Sequence, residues 1–258
     1  MASPSQPVNL MPPISVDRLL RRIGFIALPP CCLLCGETRD GHARDLCDAC
    51  IRDLVANDSA CARCALPLPR PAELCGECLR DPPPFDAAFA PFVYAHPLDL
   101  LLTRLKFGHS LAAGQVLGEL WIASVRAARA AGKIARLPEA LLPVPLHAGR
   151  LRERGYNQAL ELARPLAGAL DLPLMPALLR RERPTAAQTD LGAAARRRSL
   201  RGAFSVAAPH AAAMPNHVAL LDDVMTTGAT LREGARILKR AGIPRVDVWA
   251  IARAPRRR

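Results

Sequence analysis

The chain has 258 residues, half of them hydrophobic, and a formal net charge of +12, a composition that excludes a disordered chain. With no run of about 18 apolar residues, it also argues against a transmembrane helix. Nine arginines against ten carboxylates give residues 1–84 a balance of −1, and the remaining 26 basic and 13 acidic residues give 85–258 a balance of +13.

That sign suits anionic partners such as nucleic acid, nucleotides or pyrophosphate. Lysine occurs only at 106, 133 and 239, so arginine carries the charge, as coding bias alone would produce. Charge therefore gives the sign of a partner and not its identity. At the N-terminus, Arg18, Arg21 and Arg22 precede the apolar stretch Ile23 to Leu28. The stretch is too short for a signal peptide and no small-residue cleavage site precedes Cys31. Residues 1–30 are left as an N-terminal segment, and a cytoplasmic location without membrane insertion is expected.

All nine cysteines lie between 31 and 78. Eight form four C-x-x-C pairs: Cys32/Cys35, Cys47/Cys50, Cys61/Cys64 and Cys75/Cys78. Eleven residues separate the first two pairs and ten the last two. A C-x-x-C turn aims two thiolates at one point, and a second turn across a hairpin completes the tetrahedron of a structural Zn²⁺ site. Residues 31–84 are read as a double zinc ribbon holding one or two structural zinc ions. The knuckles are paired sequentially, with interleaving as the alternative. Disulfides need an oxidising compartment, and redox C-x-x-C motifs occur singly beside a βαβ unit. Cys31 is a buried or bystander thiol, or a substitute for Cys32; His42 is solvent-facing, or an extra ligand. Gly36 and Gly76 follow the second Cys of a pair, where a turn tends to need positive φ.

Asp81-Pro-Pro-Pro84 marks a boundary, because proline removes donors and disfavours helix before it. Residues 85–258 then alternate strands and helices. Phe89 to Tyr94 reads as a strand, Leu98 to Phe107 and Ala112 to Arg129 as helices, and Ala140 to Val144 as a strand. Asn157 to Leu170 is helical, Val218 to Leu221 strand-like, Leu231 to Ala241 helical, and Val246 to Ile251 a closing strand. This alternation predicts an α/β domain with a mainly parallel sheet flanked by helices.

The most informative stretch is Val218-Ala-Leu-Leu-Asp-Asp-Val-Met-Thr-Thr-Gly-Ala-Thr230. An apolar strand runs into two carboxylates and then a small-residue loop that opens a helix, at the strand end where α/β sheets bind ligands. Helix-start N–H groups attract phosphate, Thr226, Thr227 and Thr230 add hydroxyls, and Gly228 lets the backbone approach. Asp222 and Asp223 would repel phosphate but can accept from hydroxyls such as those of a ribose.

These residues resemble the motif of type I phosphoribosyltransferases that binds 5-phosphoribosyl 1-pyrophosphate (PRPP). In that family the acidic pair, here Asp222 and Asp223, holds the ribose hydroxyls. The following loop, here Thr226, Thr227, Gly228, Ala229 and Thr230, cradles the 5-phosphate. Leu142-Pro-Val-Pro145, Arg150, Arg152, Arg154-Gly-Tyr-Asn-Gln158, Leu105-Lys-Phe-Gly108, Arg183 to Gln188, Arg196 to Phe204 and the cysteine module extend the likeness. They resemble the ComF family of competence-related phosphoribosyltransferases, with Ser199 departing where relatives carry Asn.

The resemblance implies a type I phosphoribosyltransferase fold behind the zinc module. It implies a pentosyltransferase reaction in which a nitrogen acceptor displaces pyrophosphate at ribose C1, with Mg²⁺ held by the substrate's oxygens and water, and a link to DNA uptake. By the same analogy His147 to Arg150 form the loop facing pyrophosphate. Arg150, Arg154, Gly155, Tyr156 and Asn157 form its polar cluster, whereas Arg152 belongs to a solvated face. Arg183 and Gln188 sit on a closing loop, and Lys106 comes from the hood over the acceptor or snorkels beside Phe107. The alternatives are a non-catalytic single-stranded nucleic-acid-binding protein or a PRPP-regulated factor, with single-stranded DNA or DNA-uptake proteins as partners. The few stacking platforms for bases are Phe85, Phe89, Phe92 and Tyr94.

Overall fold

Two nine-residue strands from the last quarter of the sequence hold the centre of the sheet. The computed structural model describes residues 31–38, 45–183, 200, 202–207 and 214–256. Two short helices come first, α1 (Asp48–Arg52) and α2 (Gly76–Arg80). Then follow β1 (Ala87–Phe89), β2 (Phe92–Val93), α3 (Leu98–Phe107), α4 (Leu111–Ala130), β3 (Ala140–Pro143), α5 (Ala148–Arg154) and α6 (Gln158–Leu170). The last are β4 (Leu179–Arg181), β5 (Phe204–Val206), β6 (His217–Met225), α7 (Ala229–Arg240) and β7 (Arg245–Arg253).

β6 pairs in parallel with β3 on one side and β7 on the other, and β1 and β2 both pair in parallel with β7. Val218 to Leu221 and Val246 to Ala252 are buried throughout, as strands covered on both faces must be. The mainly parallel, helix-flanked sheet is therefore the architecture expected. α7 lies close against β6: a Cβ on Gly234 would come 2.7 Å from Leu220 Cδ2. β4 and β5 form a separate antiparallel pair.

Several boundaries differ from expectation for physical reasons. The strand expected over Phe89 to Tyr94 is broken into β1 and β2 by Ala90-Pro91, since Pro91 has no N–H for the ladder. β6 continues past Leu221 through both aspartates to Met225. The stretch after His147, expected as a loop, is helical from Ala148. The His147 Nδ1 accepts from the Gly149 N–H at 3.2 Å and Ala, Leu, Arg and Glu favour helix. α5 buries no residue, so it has no apolar stripe to show in the sequence.

The chain divides into two compact units, residues 1–47 and 48–258. In the smaller, Cys31 bridges Thr38 in antiparallel fashion and Gly36 adopts φ +76°. In the larger, Cys61, Cys64, Leu66, Cys75 and Cys78 share one core with Phe85, Leu238, Val246 and Val248. Among the described residues no helix is long and apolar enough to cross a membrane.

Candidate functional site

The carboxyl end of β6 turns directly into α7, and the expected phosphate loop occupies that turn. Gly228 has φ +71°, a left-handed conformation that favours glycine, and a Cβ there would displace the movable Met225 Cε, 2.7 Å away. Thr226 and Thr227 are exposed and Thr230 half-buried, while Gly228 and Ala229 are buried. The Thr227 Oγ1 accepts from the Ala229 N–H at 3.4 Å.

The two carboxylates are inequivalent. Asp223 is buried and pairs with Lys106, Nζ to Oδ2 at 2.7 Å; its Oδ1 accepts from the Val224 N–H at 2.6 Å. Lys106, on α3, therefore does not snorkel beside Phe107 but neutralises Asp223. Asp222 is half-buried. Burial and the neighbouring Asp223 carboxylate push it up to about 7, against the opposing pull of Lys106. The pair thus presents one carboxylate bound to a lysine and one carboxyl pushed up to about 7.

A basic cluster stands on the same side. Burial and Arg150 hold the Arg181 guanidinium below its usual range, and Asp222 pulls it the other way. Burial and Arg154 do the same to Arg150. Arg154 bonds Gln158 Oε1 at 3.2 Å and lies 5.5 Å from the centroid of the Phe107 ring. Arg152 is exposed. Gly155 caps α5, and the Tyr156 hydroxyl donates to the Leu105 carbonyl. Asn157 caps α6 through Oδ1 and ties it to the end of β3, its Nδ2 donating to the Val144 carbonyl at 3.0 Å. These side chains join α3, α5 and α6 beside Lys106. Arg183 donates to the Gly202 carbonyl at 3.3 Å, and the Gly202 N–H donates to Glu233 on α7 at 2.9 Å. Gln188, Ser199, His42 and residues 1–30 lie outside the described residues. Phe85 is fully buried and offers no face to a base, and Phe89 packs edge-on to Trp249 at 6.2 Å. Phe107 is 68% exposed, with the Arg154 guanidinium over its ring.

The cysteines gather in sequential pairs. The Sγ atoms of Cys32, Cys35, Cys47 and Cys50 form one set and those of Cys61, Cys64, Cys75 and Cys78 another, each within 4.8 Å. Cys35 and Cys47 sulfurs are 3.8 Å apart and those of Cys64 and Cys75 3.7 Å. Four Zn–S bonds of about 2.3 Å in a tetrahedron require about 3.8 Å. Both sets fit a structural Zn²⁺. Burial pushes Cys32 up, but N–H donors from Cys35, Cys47 and Leu34 outweigh it and bring the thiol to about 6. Cys75, opposed in the same way, is brought to about 7. Burial raises Cys64 to about 11. Cys31 is exposed and belongs to neither set. Gly76 opens α2; the left-handed turn equivalent to Gly36 is made by Ala65, at φ +54°.

Arg253 was not singled out from the sequence. It is buried at the carboxyl end of β7, opposite Met225 in the ladder. Its Nε donates to the Cys64 carbonyl at 3.1 Å, and its Nη1 to the carbonyls of Met225 at 2.9 Å, Thr226, and Ala254 at 2.9 Å. One signal existed: a charge closing the apolar run Val248 to Ala252 at the strand end where ligands bind.

Residues 25–79 match the double zinc ribbon domain family. Similarity over nearly the whole chain extends to competence protein F of Haemophilus influenzae, 35% identical over 223 residues, or 86% of this chain and 96% of that protein. The DNA utilization protein YhgH of Salmonella typhimurium is 34% identical and that of Escherichia coli K12 33% identical. Each aligns over 229 residues, 89% of this chain and 99% of its own length.

Proposed function

The chain belongs to the family of competence protein F and DNA utilization protein YhgH, and from that premise we propose that it binds PRPP and transfers phosphoribosyl to a nitrogen acceptor. The observation that carries this reading is the turn from β6 into α7. Two carboxylates in unequal surroundings precede a left-handed glycine and a helix start at which Thr226 and Thr227 are exposed. A 5-phosphate suits the threonines and helix N-terminus from Thr226 to Thr230, and the ribose hydroxyls suit Asp222 and Asp223 as acceptors. Arg150, Arg154 and Arg181 would face the pyrophosphate, whose oxygens a guanidinium fork matches. Arg183, just after β4, would add a further guanidinium to that group, and Gln188 is proposed as a contact from the sequence resemblance alone. Mg²⁺ would be held by the substrate's oxygens and water. The acceptor's nitrogen lone pair would attack C1 as the bond to pyrophosphate breaks, and the chain's own task is positioning and exclusion of water. The relatives are named for competence and for DNA utilization, which supports placing this activity in DNA uptake; a cytoplasmic location belongs to the same proposal.

Calorimetric titration of the zinc-loaded protein with PRPP and Mg²⁺ tests the reading. Saturable binding is expected, and its loss in the Asp222→Asn/Asp223→Asn variant; pyrophosphate release then screens acceptors. A folded wild type that gives no heat with PRPP overturns the proposal.

A second reading, a non-catalytic single-stranded nucleic-acid-binding factor that PRPP regulates, is favoured by the exposed Phe107 beneath Arg154. An aromatic face with arginines around it is what successive bases stack on. Salt-dependent binding of single-stranded DNA, weakened by Phe107→Ala, would support it.

A further inference from the structure

Arg253 connects two features that the sequence keeps apart. The Cys64 carbonyl it binds belongs to a turn fixed by two bonds, Ala65 N–H to the Cys61 carbonyl at 2.8 Å and Cys61 N–H to the Leu66 carbonyl at 2.9 Å. Two of its other acceptors, Met225 and Thr226, are where the phosphate loop leaves β6. Arg253 is 7% exposed, its bonds to Cys64 and Met225 are buried, and its planar fork allows little adjustment. Charge adds a second reason. Four thiolates around one Zn²⁺ carry a formal excess of two negative charges, and a buried cation beside Cys64 offsets part of it. A shift of the knuckle therefore moves the guanidinium, and a shift of the guanidinium moves the first residues of the loop.

We propose that the second cysteine set positions the phosphate loop through Arg253, so that zinc held by Cys61, Cys64, Cys75 and Cys78 and PRPP held by the loop each strengthen the other's binding. Arg253 touches neither ligand and acts as a positioning residue. The proposal rests on the PRPP reading above. Coupling of this kind is reciprocal and amounts to roughly 5- to 150-fold in affinity. The first cysteine set, Cys32, Cys35, Cys47 and Cys50, serves as the internal control.

The test is zinc release from the full chain to a chromogenic chelator, with and without PRPP and Mg²⁺, beside calorimetric PRPP binding. PRPP is expected to slow release of one zinc ion at least about fivefold and leave the other unchanged. In Arg253→Lys, which keeps the charge but not the fork, both zinc ions are retained, PRPP binds more weakly and the protection disappears. A variant that was merely less stable would lose both zinc ions faster yet keep the PRPP effect. Saturable PRPP binding with release of both ions unchanged overturns the coupling and leaves the PRPP reading standing. If PRPP does not bind, that reading falls and the link is judged on amide hydrogen exchange of residues 225–230. Faster exchange in zinc-loaded Arg253→Lys supports the link, and unchanged exchange overturns it.

Discussion

The two cysteine ribbons are built to one backbone plan and put to different uses. In the first, Cys32 N–H bonds the Glu37 carbonyl, Gly36 N–H the Cys32 carbonyl, and Leu33 N–H the Asp45 carbonyl. In the second, Cys61 bonds Leu66, Ala65 bonds Cys61, and Ala62 bonds Glu73 in the same sense. Even the N–H to sulfur bonds repeat, Cys47 to Cys32 at 3.5 Å and Cys75 to Cys61 at 3.3 Å. Yet Cys35 is exposed, whereas all four cysteines of the second set are buried in a core shared with the sheet. The same metal recipe leaves one ligand, Cys35, exposed in the first case and is wholly buried in a larger core in the other.

The widest break in that comparison comes from cysteine variants. Cys64→Ser should abolish the cooperative calorimetric transition of residues 48–258, since structural zinc contributes on the order of 10 kcal/mol. Cys35→Ser should remove one zinc by metal analysis and leave that transition in place. A smaller break separates ribbon from loop. Gly228→Ala forces a Cβ against Met225 in a left-handed turn, so PRPP affinity should fall about 10- to 100-fold, for a strain of about 1–3 kcal/mol. Both zinc ions should stay bound, which metal analysis checks.

pH sharpens the picture next. An ordinary aspartate ionises near 4 in the unfolded chain, but Asp222 holds its proton to about 7 in the fold. Stability should therefore fall as pH rises through that window, the loss being complete above about 7. Asp222→Asn should raise Tm by a few degrees at pH 8, on the scale of about 2–4 °C per kcal/mol, and leave it unchanged at pH 4. The smallest effect compares the two turns directly. Gly36→Ala should weaken its ribbon by about 1 kcal/mol, read as faster zinc loss. Ala65→Gly should relieve the equivalent strain but also remove a buried methyl, for a net change below about 1 kcal/mol.

What could be read from the sequence was what depends on near neighbours. Cys spacing dictates its own pairing because each knuckle is a local turn. Asp222 to Thr230 carries strand, acceptors, glycine and helix start within nine consecutive residues. The loop's supports were less legible. Lys106 meets Asp223 across more than a hundred residues, and Arg253 meets Cys64 across still more; no local pattern announces either. α5 escaped because it turns no apolar face inward, and the β4–β5 pair because its strands are three residues long and their ladder is with each other.

The order of the sheet has a consequence for synthesis. β1, β3 and β6 emerge from the ribosome before β7, yet β7 lies between β1 and β6. Until residues 245–253 are translated, β1 and β6 lack their shared neighbour and the second cysteine set lacks Val246 and Val248 to pack on. Knuckle thiols can gather metal as soon as Cys78 has emerged, while the surface that buries them is still unmade. A chain stopped short of Arg245 would present a metal-loaded ribbon beside an open sheet, a species for chaperones and proteases rather than a working fragment.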